Sequence, residues 1–240
     1  MVNGKNLTKW VAPVLMFVFC DFIYRQHLVK YLLDRDYLVV NFFENSFLNK
    51  TFSFGLLNFA IAVIILLISK FIFKEKLTSI DSSDKMSLRK SAIIVFSAVV
   101  VTIIIFYLLT YIIYDVLGSS VNSAAAIYIR DIYMRNKFIY VIFTFFTVTF
   151  EEVVYRKLLF GYLYDLHSGC NRFVRLITSL LGSVIIFGAI HDGVLSSGMI
   201  YYVIAGISFT IVYFYTKRIS AAIAIHFLYN ICVRLIRTII

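Results

Sequence analysis

Three polar clusters interrupt the apolar second half of this chain: Glu151-Glu152-Val153-Val154-Tyr155-Arg156, Phe187-Gly188-Ala189-Ile190-His191 and His226-Phe227-Leu228-Tyr229-Asn230. Their side chains are those of acid–base hydrolysis. A carboxylate removed from water is a strong enough base to take a proton from a water molecule. A histidine can share that water or protonate a leaving amine, and His and Asn donors can stabilise a developing oxyanion. An ionisable group at bilayer depth costs roughly 2.5–3.5 kcal/mol on insertion scales, so several of them need a compensating reason. The reasons available are mutual pairing within a helix bundle and a functional site.

Spacing narrows the roles. Glu152 and Arg156 are four residues apart and can pair on one helix face. Glu151 points about 100° away from that face, which leaves one carboxylate held and one to act as a base. The same residues also fit an interfacial Glu–Arg pair at a helix end. The apolar pattern continues past the glutamates through Leu158, Leu159 and Phe160, which places them inside a helix. His191 ends an apolar run before Asp192-Gly193, where a capping role competes with a catalytic one. Phe187 lies one turn earlier on its face and would wall a pocket. Asp192, adjacent in sequence, points elsewhere and is not counted as catalytic. His226 and Asn230 share one face of the last helix, where interhelical hydrogen bonding worth about 1 kcal/mol is the competing role.

Two histidines and a carboxylate also suit zinc, with Glu151, His191 and His226 as the ligands of such a site. The HExxH spacing is absent and the two histidines lie on different helices, so no metal and no other cofactor is expected. No serine or cysteine offers an equal nucleophile: Ser196 and Ser197 fall in a loop. His27 and His167 fall in polar connections, Asn58 reads as interhelical glue, Lys70 as a snorkelling anchor, and Asp21 has no assigned role.

The elements that must carry these residues are membrane helices. The 240 residues are 61% hydrophobic and only 15% charged, against about 25% charged in a soluble domain. The predicted fold is all-α, a polytopic integral membrane bundle of about six to eight transmembrane helices. Runs of about 20 residues are found at Phe52–Phe73, Ser91–Tyr114, Phe138–Lys157, Phe173–His191, Val194–Thr216 and Ile219–Ile236. Trp10–Tyr24 makes a shorter first helix, interrupted by Asp21 and lacking a small-x-small cleavage site, so it is expected to be retained. Residues 25–50 read as a short interfacial helix, and Lys74–Lys90 as a basic loop. Residues 1–137 hold the N-terminal helices and 138–240 the motif-bearing core of one integrated membrane domain.

The net charge of +10 comes from Lys and Arg at the ends of apolar runs, as anchors and topology signals do. With no basic face interleaved with aromatics, no nucleic-acid partner is expected. Membrane lipids and a membrane-associated protein or peptide are the expected partners, and oligomeric state is not legible. A cytoplasmic N-terminus places the basic loops inside. Cys20, Cys170 and Cys232 have no metal-like spacing.

The ordered trio EExxxR, FxxxH and HxxxN resembles the CAAX-protease and bacteriocin-processing (CPBP, or Abi) family of intramembrane proteases. Here it is Glu151-Glu152…Arg156, Phe187…His191 and His226…Asn230, covering roughly Phe138–Asn230. The resemblance implies an intramembrane endopeptidase in which Glu151 activates water with the help of His191. It implies that His226 and Asn230 form the oxyanion hole, and that Glu152 and Arg156 hold the first motif in shape. Eukaryotic relatives trim prenylated CAAX proteins; bacterial ones are associated with bacteriocin self-immunity, peptide maturation or surface display. The composition resembles a bacterial member, in the plasma membrane. The C-terminal residues Arg237-Thr238-Ile239-Ile240 are not a prenylation box. A non-catalytic membrane protein that sequesters a peptide or partner is the alternative; a transporter would need an internal repeat and interrupted helices that the chain lacks.

Overall fold

The computed structural model describes residues 4–74, 77–81, 83–116, 118 and 123–239. Residues 75, 76 and 82 of the expected basic loop therefore lie outside the described residues. Among the described residues there are eight helices and no strand. They are α1 (4–34), α2 (Ser46–Phe71), α3 (Leu88–Val116), α4 (Ala124–Arg135), α5 (Lys137–Leu166), α6 (Arg172–Asp192), α7 (Met199–Thr216) and α8 (Ile219–Ile239). All but α4 contain an apolar stretch long enough to cross a membrane, and the chain is a multi-pass integral membrane protein.

Helices suit this sequence because lipid offers the backbone no hydrogen bonds, so each segment must satisfy its own. Hydroxyl side chains follow the same rule. Thr147, Thr149, Thr210 and Thr216 each bond the carbonyl four residues earlier, at 2.7–2.9 Å. Large apolar side chains on the outer faces, such as Phe96, Ile104 and Leu108 on α3, remain exposed, as a lipid-facing surface requires.

Several boundaries differ from the sequence reading. Residues 25–34 continue α1 and form no separate interfacial helix. The connection that follows is pinned by side chains: Ser53 accepts from the Val40 N–H at 2.8 Å, and Asn49 accepts from Phe42 and Phe43. Asn45 then caps α2 by accepting from Phe47 and Leu48. The span expected to end at Lys157 runs on to Leu166, because Lys157 is buried against Asp81 at 2.6 Å and does not mark a membrane surface. The span expected from Val194 begins at Met199. Gly193 and Leu195 take positive φ, and Ser196 accepts from the Met199 N–H, starting α7 there.

Two compact units divide the chain. One comprises Met1–Ser83 with Ile132–Ser179, the other Asp84–Asp131 with Leu180–Ile240. In the first, α2 packs along α5 through an aromatic seam in which Phe59 stacks on Phe146 at 4.8 Å. Also within it, α1 packs on the part of α5 that follows the two glutamates. In the second, α3, α7 and α8 share a core of Val95, Val99, Phe106, Phe209, Val212 and Ile225. A Thr102–Ser208 hydroxyl pair at 2.6 Å joins α3 to α7 within it.

Candidate functional site

The two glutamates sit where α5 changes its winding. Regular α-helix runs from Lys137 to Glu152, and a π-helical stretch follows over Val153–Phe160. Wider i→i+5 winding shifts side chains around the axis relative to an α-helix, and such turns recur at functional sites. Glu152 and Arg156 pair as their spacing predicts: Arg156 Nε lies 3.1 Å from Glu152 Oε2, both side chains almost wholly out of solvent. A buried pair of this kind holds because each charge compensates the other.

Glu151 has a different neighbour, as expected, but it is not left unengaged. Arg25 Nη1 donates to Glu151 Oε1 at 3.3 Å. The same guanidinium reaches Asp21 Oδ1 at 3.0 Å and the Tyr155 hydroxyl at 3.3 Å. Tyr155 in turn donates to Asp21 Oδ1 at 2.9 Å. Asp21 and Tyr155 are fully buried, whereas the Glu151 side chain keeps 15% of its surface exposed. Asp21 and Arg25 lie on a second π-helical stretch, Phe19–Val29. The four-residue spacing of Asp21 and Arg25 was the available signal for this group. Nothing in the sequence tied either residue to Glu151.

The second unit gathers the aromatic half of the candidate set. His191 Nδ1 lies 2.7 Å from the Phe187 carbonyl. A carbonyl can only accept, so Nδ1 carries a proton and donates it to Phe187. The imidazole packs against two rings: Phe187 lies 4.3 Å away centre to centre, tilted by 49°, and Tyr202 of α7 stacks at 4.8 Å and 30°. His226 stacks on Phe209 at 4.3 Å and 23°, with Phe187 edge-on at 6.1 Å. Phe187 thus contacts both histidines. Asn230 lies one turn beyond His226 on α8, half-buried. Tyr202 and Phe209 were not legible, since aromatic residues in a chain this rich in them carry no mark.

Gly188 makes this packing possible. A Cβ there would meet Val203 Cγ2 at 2.8 Å and the Met199 carbonyl at 3.1 Å, so α6 and α7 approach closely beside Phe187 only with glycine. Asp192, set aside as a catalyst, accepts from Ser196 at 2.9 Å and organises the α6–α7 turn. His167 bonds the Leu163 carbonyl at the end of α5, and Asn58 the Phe54 carbonyl of its own helix.

The residues named for a metal site divide between the units: Glu151 is in the first, His191 and His226 in the second. Within either unit, no group of three His, Cys, Asp or Glu among the described residues is arranged to hold a metal ion.

Residues 133–232 match the family model of type II CAAX prenyl endopeptidases, Rce1-like. The Rce1-like family is part of the CPBP family. The matched segment contains Glu151, Glu152, Arg156, Phe187, His191, His226 and Asn230, while Asp21 and Arg25 lie outside it. No curated protein and no solved structure matches the chain. At the level of the CPBP family, the activity is that of a CAAX-type intramembrane peptidase.

Proposed function

We propose that the chain is an intramembrane endopeptidase that hydrolyses peptide bonds of membrane-associated proteins or peptides, using water activated by Glu151 with His191. The observation that carries this is the match of residues 133–232 to a prenyl endopeptidase family, with a solvent-reachable glutamate and a histidine bonded through Nδ1 to a backbone carbonyl at the motif positions. In this reading Glu151 takes a proton from water as the oxygen attacks the scissile carbonyl. N–H donors of His226 and Asn230 stabilise the oxyanion. The intermediate collapses with cleavage of the C–N bond, and the proton passes to the leaving amine. Glu152 and Arg156 hold α5 in shape without touching substrate. The setting we propose is a bacterial plasma membrane, in self-immunity or peptide maturation.

The test compares membrane and secreted peptides from cells carrying wild type or Glu151→Gln at matched abundance. Purified protein is assayed in parallel on an internally quenched farnesylated CAAX peptide. A product made only by wild type supports the reading and reveals the substrate. Identical peptide profiles with the biological phenotype intact would overturn it in favour of a binding protein.

A further inference from the structure

The carboxylate proposed as the base is held by a helix outside the matched segment. Arg25 of α1 is shared among Asp21, Tyr155 and Glu151, and Tyr155 closes the group by donating to Asp21. Contacts on this scale have consequences for both position and charge. With Oε1 bonded to the guanidinium, rotation of the Glu151 carboxylate is restricted. Charges near Glu151 include Arg25 with Asp21 on α1, and Glu152 with Arg156 on its own helix. Asp21 and Glu152 are fully buried, and Glu151 alone of the three keeps solvent exposure.

We infer that Arg25, fixed by Asp21 and Tyr155, is a positioning residue that keeps Glu151 ionised and oriented for the hydrolysis proposed above, on which this inference rests. Arginine suits the task because its planar fork serves three acceptors at once, whereas a lysine ammonium is a point charge without that geometry. The two π-helical stretches, Phe19–Val29 and Val153–Phe160, carry Asp21 with Arg25 and Tyr155. The unusual winding thus coincides with the network on both helices. The matched segment does not contain Arg25, so this contact to Glu151 comes from outside it.

The experiment uses full-length protein in detergent, as Arg25→Gln, Arg25→Lys and the double variant Asp21→Asn with Arg25→Gln. The double variant removes both buried charges and guards against a fold lost to an uncompensated Asp21. Exposed Lys30→Gln on the same helix is the control. Two readouts are taken at equal abundance: kcat and KM on the farnesylated CAAX peptide, and the rate at which a hydrophobic carbodiimide modifies Glu151, followed by mass spectrometry. Carbodiimides react with the protonated acid, so the second readout follows the charge state without requiring turnover. Both Gln variants are expected to lower kcat roughly 10- to 100-fold with KM within about twofold. Labelling of Glu151 should accelerate several-fold, and Arg25→Lys should recover part of both. Wild-type kcat, or unchanged labelling, in either Gln variant would overturn the inference. Failure of wild type to cleave the probe would count against the proposed function, while labelling still decides whether Arg25 holds Glu151.

Discussion

The two units hold polar side chains away from water by different physics. In the first, charges are closed against charges: Glu152 on Arg156, and Arg25 between Asp21 and Glu151. In the second, two imidazoles pack against aromatic rings, and one of them donates to a backbone carbonyl. Ion pairs depend on both members being present, because a lone buried charge has no compensation. A ring stack depends on shape and tolerates a change of charge. The charged cluster should therefore be fragile to single substitutions, and the aromatic cluster robust in fold though not in chemistry.

The largest effect should fall on turnover. Glu151→Gln or His191→Ala should each lower kcat about a thousandfold at normal abundance. Combining them should add little if both serve one step, and a multiplied loss would separate the clusters functionally. Next comes stability of the charged unit. Glu152→Leu alone should cost about 3–5 kcal/mol in detergent unfolding, and Glu152→Leu with Arg156→Met should recover most of it. A single variant as stable as wild type would break the contrast.

His226→Phe sharpens the other side: the stack on Phe209 accepts a ring of similar shape, so stability should change by less than about 1.5 kcal/mol while cleavage falls at least about a hundredfold. Gly188→Ala should cost about 1–3 kcal/mol by overpacking α6 on α7, with a matching fall in thermal midpoint. The smallest expected effect is that of EDTA or phenanthroline, which should leave cleavage unchanged. Loss restored by zinc would replace the glutamate mechanism with a metal one.

Local geometry explains what could be read early. Helices follow from apolar runs of sufficient length, and the Glu152–Arg156 pair from a four-residue spacing within one helix. Both were legible, as was the order of the three motifs. The end of α5 was not, because Lys157 reads as a surface anchor until Asp81, 76 positions earlier by number, is seen to cover it.

By itself, then, the sequence determined the helical membrane architecture and the set of candidate residues, since periodicity and spacing are properties of a single chain segment. Tertiary structure alone decided that Arg25 would meet Glu151 from 126 residues away, and that Phe187 would contact both histidines, with Tyr202 stacked on one and Phe209 on the other. Such contacts depend on how helices rotate and approach, which Gly188 permits at one point and π-helical winding accompanies at another. Many residues could have filled those places without altering the local pattern of any one helix.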